Sequence, residues 1–183
     1  MPWYAVHDAA DHAARAEWRH KARKALADIR AERAAPGFAP LERPFHLRVF
    51  GDYAAEAVWL CDDEGCLAES AAALPVAASL AARCLLWADC YETHEDAWFD
   101  HNHVADWPAP PFNHYQAINL RGFFLACALK RALPDCRIEF LDEYRNLPWR
   151  DYTPDAQGEK PPHLIEITAE TMHHEAASRR RKP

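Results

Sequence analysis

No apolar run in this chain approaches the roughly 18 to 20 residues that a membrane-crossing helix requires, so a transmembrane helix is excluded. Its first residues, MPWYAVHDAADHAARAEW, lack the basic region and apolar stretch of a secretory signal. That absence places the chain in the cytoplasm as an expectation. There is no glycine-rich phosphate loop, no strained-turn serine and no pair of closely spaced cysteine pairs, which removes the commonest sequence signs of nucleotide hydrolysis, serine hydrolysis and a four-cysteine zinc centre. Positive charge is also in short supply. The formal net charge is −7, which argues against wrapping a phosphate backbone and excludes nucleic acid as the expected partner. The exception is Arg179-Arg180-Arg181-Lys182, read as part of a solvated tail.

What is present is enough for one sizeable core. At 183 residues, half of them apolar, the chain suits a single domain with appendages. Six cysteines stand at positions 61, 66, 84, 90, 127 and 136, most of them within apolar runs, and reduced thiols are expected. Cys61 and Cys66 bracket Asp62-Asp63-Glu64-Gly65, which has the character of a hairpin turn.

Periodicity divides the chain into elements. Trp18, Ala22, Ala25 and Ile29 recur at helical spacing between about Asp8 and Arg33, with Leu26 widening the stripe and Pro36-Gly37 ending it. Residues 45–50 read as a strand and 57–61 as a second. After Pro75, Val76, Leu80, Cys84, Trp87 and Tyr91 share one helix face, and residues 92–112 are expected to be irregular. Asn113 and Gln116 suggest a capped helix start, followed by a buried stripe of Ile118, Gly122, Leu125, Leu129 and Ala132. Residues 136–141 and 163–168 alternate as strands. The predicted fold is α+β, a small, mostly antiparallel sheet of about four strands packed by two core helices, with an additional N-terminal helix. Residues 1–36 form a helical extension in this reading, 37–170 the domain and 171–183 a basic tail.

The short motifs Phe50-Gly51-Asp52-Tyr53, Val58-Trp59-Leu60, Leu74-Pro75 and Trp87-Ala88 with Tyr91 resemble a pattern found in small uncharacterised bacterial α+β proteins. A helix over Leu120 to Leu133 and a strand over Arg137 to Leu141 extend the resemblance to about half the chain. It implies the order of the elements and carries over no site residue.

The densest chemistry lies in HEDAWFDHNH, residues 94–103. His94, His101 and His103 with Asp100 or Glu95 are types that bind zinc or exchange protons, so one reading is a metal-dependent hydrolase. The leading expectation is different. Glu95, Asp96, Asp100 and Asp106 set beside Trp98 and Trp107 have the composition of a docking surface, with carboxylates that attract a basic protein and rings that anchor it. A second acidic group, Asp52, Asp62, Asp63, Glu64 and Glu69, surrounds the strand pair, and Trp149 and Tyr152 are further candidate anchors. This reading needs no cofactor. It makes the protein a non-enzymatic acidic binder, most concretely an immunity or antitoxin protein occluding a basic toxin such as a nuclease. A third reading is a scaffold subunit built on the alanine-rich N-terminal helix.

Overall fold

The computed structural model describes residues 9–51, 57–102, 113–143, 147 and 164–180, with side chains described for 16–51, 57–92, 118–143, 147 and 164–174. The chain begins with α1 (Ala9–Arg33), enters strands β1 (His46–Val49), β2 (Val58–Cys61) and β3 (Cys66–Glu69), and continues through α2 (Ala78–Asn102) and α3 (Asn113–Ala132). Strands β4 (Arg137–Leu141) and β5 (Leu164–Glu166) follow, and α4 (Ala169–Arg180) ends the described chain. The five strands run in the order β3-β2-β1-β4-β5, and among these pairings only β1 with β4 is parallel. The fold is therefore the expected α+β sheet, with one strand more than the sequence suggested.

The period-two alternation of the strands separates two faces. Leu47 and Val49 are paired with Ile138 and Phe140, and Val49 also with Val58; all five are buried in the core with Ile165. Helices α2 and α3 supply the other half of that core through Ala81, Cys84, Trp87 and Tyr91, and through Ile118, Phe123, Leu125, Ala126 and Leu129. The predicted stripe of α3 holds except at its end, where Ala132 is exposed and Leu133, beyond the helix, is buried. Close approach explains Gly122. A Cβ there would lie 2.5 Å from the Trp87 ring and 2.8 Å from that of Phe140, so only glycine lets α3 settle this near both rings.

The N-terminal helix belongs to this core. Ala25 and Ile29 are buried, Lys21 reaches Asp89 of α2 at 2.8 Å, and Arg121 of α3 lies over the Trp18 ring at 5.8 Å. At its end Arg33 donates to the carbonyls of Ala72, Leu74 and Val76 at 2.8–2.9 Å, satisfying three acceptors in the turn that leads into α2. Gly37 then leaves the helix with φ +81°.

Two stretches differ from the sequence reading. Residues 92–102, expected to be irregular, continue α2 as helix. No glycine or proline stands between Pro75 and Pro108, so the polar composition changes without any signal that stops the helix. Likewise α4 occupies residues 169–180, opened by Thr168 and Thr171, each accepting or donating across the first turn, where a basic tail was expected from 171.

Candidate functional site

The hairpin of β2 and β3 stands at one edge of the sheet and carries the acidic group that the sequence places around the strand pair. Its turn is built from its own side chain and backbone. The Asp62 amide donates to the Gly65 carbonyl at 2.8 Å, while Asp62 Oδ1 accepts from the amides of Glu64 and Gly65 at 2.8 and 3.1 Å. Asp62 thus satisfies two turn amides, and Gly65 takes the positive φ of +148° that a side chain would resist.

The bond between Asp62 and Gly65 fixes the ladder that follows. Cys61 and Cys66 come next as a pair that exchanges no backbone hydrogen bonds, and in such pairs the strands approach most closely. Their Cα atoms are 4.0 Å apart and a disulfide joins them. This corrects the expectation of reduced thiols at these two positions: the turn length and register set the two sulfurs face to face. The other four cysteines form no disulfide, and Cys84, Cys127 and Cys136 are buried. Burial pushes the Cys90 thiol above its ordinary pKa.

Asp62, Asp63 and Glu64 are exposed around this closed turn. Next to them Leu67 is 78% exposed, the large apolar side chain among the described residues that is most open to solvent. After β3, Ser70 accepts from the Ala72 amide at 3.2 Å and donates to Glu32 of α1 at 2.6 Å, tying the hairpin's return to the N-terminal helix. The result is an exposed apolar side chain on a short hairpin whose turn carries three exposed carboxylates.

The face of the sheet opposite the core holds a second polar group. Glu139 of β4 is 3% exposed at its side chain, although strand alternation assigns it to the polar face. It is covered by two arginines and a histidine: Arg48 donates from Nη2 at 2.9 Å and Nε at 3.1 Å, Arg137 lies at 2.8 Å, and His46 Nε2 sits 3.0 Å away without hydrogen-bond alignment. Burial raises the Glu139 pKa, but contact with Arg48 and His46 and the charge of Arg137 outweigh it, so the carboxyl lies below its ordinary range. Beside this group Trp59 stacks on Phe50 with centroids 4.5 Å apart, and its indole nitrogen is buried without a hydrogen-bond partner among the described residues. These contacts hold β1, β2 and β4 in place.

A third polar cluster closes the far end of β4. Asn119 donates to Asp142 at 2.7 Å with both side chains buried, and Tyr91 donates to Glu143 at 2.7 Å. Sequence reading assigned Tyr91 to the core and did not single out Asn119, Asp142 or Glu143.

The predicted docking residues Glu95, Asp96, Trp98 and Asp100, with His94 and His101, lie on the helical backbone of α2, and their side chains are outside the described residues. His103, Asp106, Trp107, Trp149, Tyr152 and Asp52 also lie outside them. The helix nevertheless replaces the loop frame assumed for the zinc reading. His94 and His101 are two turns apart along it, about 10 Å by helical rise. Among the described residues, no group of three or more His, Cys, Asp or Glu side chains is arranged to hold a metal ion. No described helix is long and apolar enough to cross a membrane.

No family model, curated protein or solved structure matches this chain.

Proposed function

We propose that the protein is a non-enzymatic acidic binder of the immunity or antitoxin type, which neutralises a basic toxin such as a nuclease by covering its active site. The observation that carries this reading is the β2–β3 hairpin, where Leu67 stands exposed beside Asp62, Asp63 and Glu64 on a chain of net charge −7. Clustered carboxylates accelerate encounter with a basic surface, and an exposed apolar side chain held by a closed hairpin supplies contact area at low ordering cost. The acidic and aromatic residues Glu95, Asp96, Trp98, Asp100, Asp106 and Trp107 belong to the same reading as a second contact surface. The reading places the protein in the cytoplasm, where thiols are commonly kept reduced. The Asp62 turn and the β2–β3 ladder close the hairpin there without help from the disulfide.

The experiment is inhibition of a panel of basic nuclease toxins, together with association rates at roughly 0.05 and 0.3 M salt. Stoichiometric loss of nuclease activity is expected, with association slowed by salt and slowed about tenfold or more by Asp63→Lys combined with Glu64→Lys. These two carboxylates are chosen because Asp62 also holds the turn. Asp96→Lys with Asp100→Lys tests the α2 surface in the same assay. Full nuclease activity at equimolar protein, or association indifferent to both charge reversals, overturns the reading.

A further inference from the structure

We propose that β3 is an open docking edge, onto which the basic partner adds, as a sixth strand, an extended segment with an apolar and a basic residue two apart on one face; this inference rests on the acidic-binding reading above. The argument starts from the hydrogen-bond phase of the hairpin. Because Asp62 bonds Gly65, the Cys61–Cys66 and Trp59–Ala68 pairs are the ones that exchange no backbone bonds, while Leu60–Leu67 and Val58–Glu69 face each other across the ladder bonds. The amide and carbonyl of Cys66 and of Ala68 therefore point away from β2. Since β3 ends the sheet, these groups face outward, and no hydrogen bond from the described residues reaches them. They form two donor–acceptor sets at the two-residue spacing of a strand, the pattern that an added strand completes.

The side chains along this edge select what is added. Leu67 and Glu69 alternate with Cys66 and Ala68 and share one face of the strand. Leu67 is 78% exposed, and Glu32 of α1, bonded to Ser70, lies close to Glu69, whose carboxylate accepts from the Ser70 amide. An incoming segment thus meets an apolar position and, two residues on, an acidic one. The matching segment carries an apolar residue and a lysine or arginine two apart on that face. A second copy of this chain fits poorly, because its own β3 would bring Asp62, Asp63, Glu64 and Glu69 against the same carboxylates.

The probe is an acetylated, amidated heptapeptide in which valine and lysine alternate at every second position with threonine between them (Val-Thr-Lys-Thr-Val-Thr-Lys), compared with a peptide of equal composition in which the valines and the lysines form two end blocks. Amide exchange of the whole protein is read residue by residue. The expected result is that the alternating peptide slows exchange at Cys66 and Ala68 by about tenfold or more and the block peptide does not. Ala68→Pro removes one outward donor without touching a β2–β3 ladder bond and should weaken binding about tenfold. Retained exchange protection at Leu67 and Glu69 certifies that the hairpin is still formed in that variant. Leu67→Ala, which leaves the backbone unchanged, should also weaken binding by about tenfold. Binding that leaves Cys66 and Ala68 exchange unchanged, or that ignores both variants, overturns strand addition; so does failure of the alternating peptide to bind. Protection that grows with protein concentration alone identifies a second copy as the occupant and overturns it as well. The acidic reading has its own outcome: if Asp63→Lys with Glu64→Lys still slows association of the toxin, it stands while the strand-addition inference falls.

Discussion

Replacing Gly122 by alanine sets two effects of opposite sign against each other in the middle of α3. In an exposed helix the change would stabilise by about 1 kcal/mol, because alanine loses less backbone entropy than glycine. Here the new methyl would stand 2.5 Å from Trp87 Cζ2 and 2.8 Å from Phe140 Cε2, well inside the contact distance of about 3.5–4 Å at which carbon atoms attract. Neither ring is free to retreat. Trp87 is 6% exposed and its indole nitrogen donates to the Ile118 carbonyl at 2.9 Å, while Phe140 is fully buried edge-on against Phe123. Overpacking of this kind costs about 1–3 kcal/mol, and two obstructed rings put Gly122 at the upper end. The net expectation is a loss of about 1–2 kcal/mol, read as a lower urea midpoint with unchanged slope in a tryptophan-fluorescence titration. Trimming the obstacle with Trp87→Phe should make the alanine less harmful, with a coupling of about 1 kcal/mol in the double-mutant cycle. An unchanged or raised midpoint in Gly122→Ala alone would refute the packing argument.

Glu139→Gln keeps the shape of the side chain but removes the charge that faces Arg48, Arg137 and His46, and should cost about 3 kcal/mol near neutral pH. Because the folded pKa of Glu139 lies below its ordinary value, the stabilisation is complete above the unfolded pKa of about 4.3 and is lost as pH falls through the lower folded value. The gap between variant and parent should therefore close in acid, and a gap that stays constant from neutral pH to pH 3 would contradict the ion-pair account. Reducing the Cys61–Cys66 bond opens a ring of six residues and should lower the unfolding free energy by about 2 kcal/mol, measured by urea titration with and without reductant; no change would mean that the bond constrains nothing in the unfolded chain.

Much of the architecture was legible because its signals were local. The boundaries of α1 and β1 and the start of α3 at Asn113 follow from apolar periodicity and from the residues that start or stop an element. β3 was missed for a physical reason. Ala68 and Glu69 are weak strand formers, and a four-residue edge strand depends on its partner more than on its own composition. The turn Asp62–Gly65 was recognised, and its outgoing arm was the signal left unused. In α2 the error ran the other way: acidic and histidine-rich composition was taken for a loop although nothing there breaks a helix. Glu139 was not legible at all, since alternation assigns it to the open face and only the convergence of Arg48, Arg137 and His46 from β1 and β4 buries it. The same holds for Leu67. An apolar residue in a strand predicts burial, and its exposure is decided by where the helices stop covering the sheet.

That exposure is informative because of what surrounds it. A hydrophobic side chain at an unpaired edge invites nonspecific pairing, and proteins usually counter this with short strands and nearby charge. Both devices are present here: β3 has four residues, and Asp62, Asp63 and Glu64 stand at its entrance. Charges of a single sign, however, repel only partners of that sign. Under the proposed strand addition, an all-acidic guard would keep out acidic proteins and further copies of this chain, yet draw in a basic one and leave the edge available to it. The closed Asp62 turn and the β2–β3 ladder hold that edge in shape, so in the proposed docking the ordering cost would fall on the incoming segment alone. In that proposal the features that protect the edge from aggregation also select who can use it.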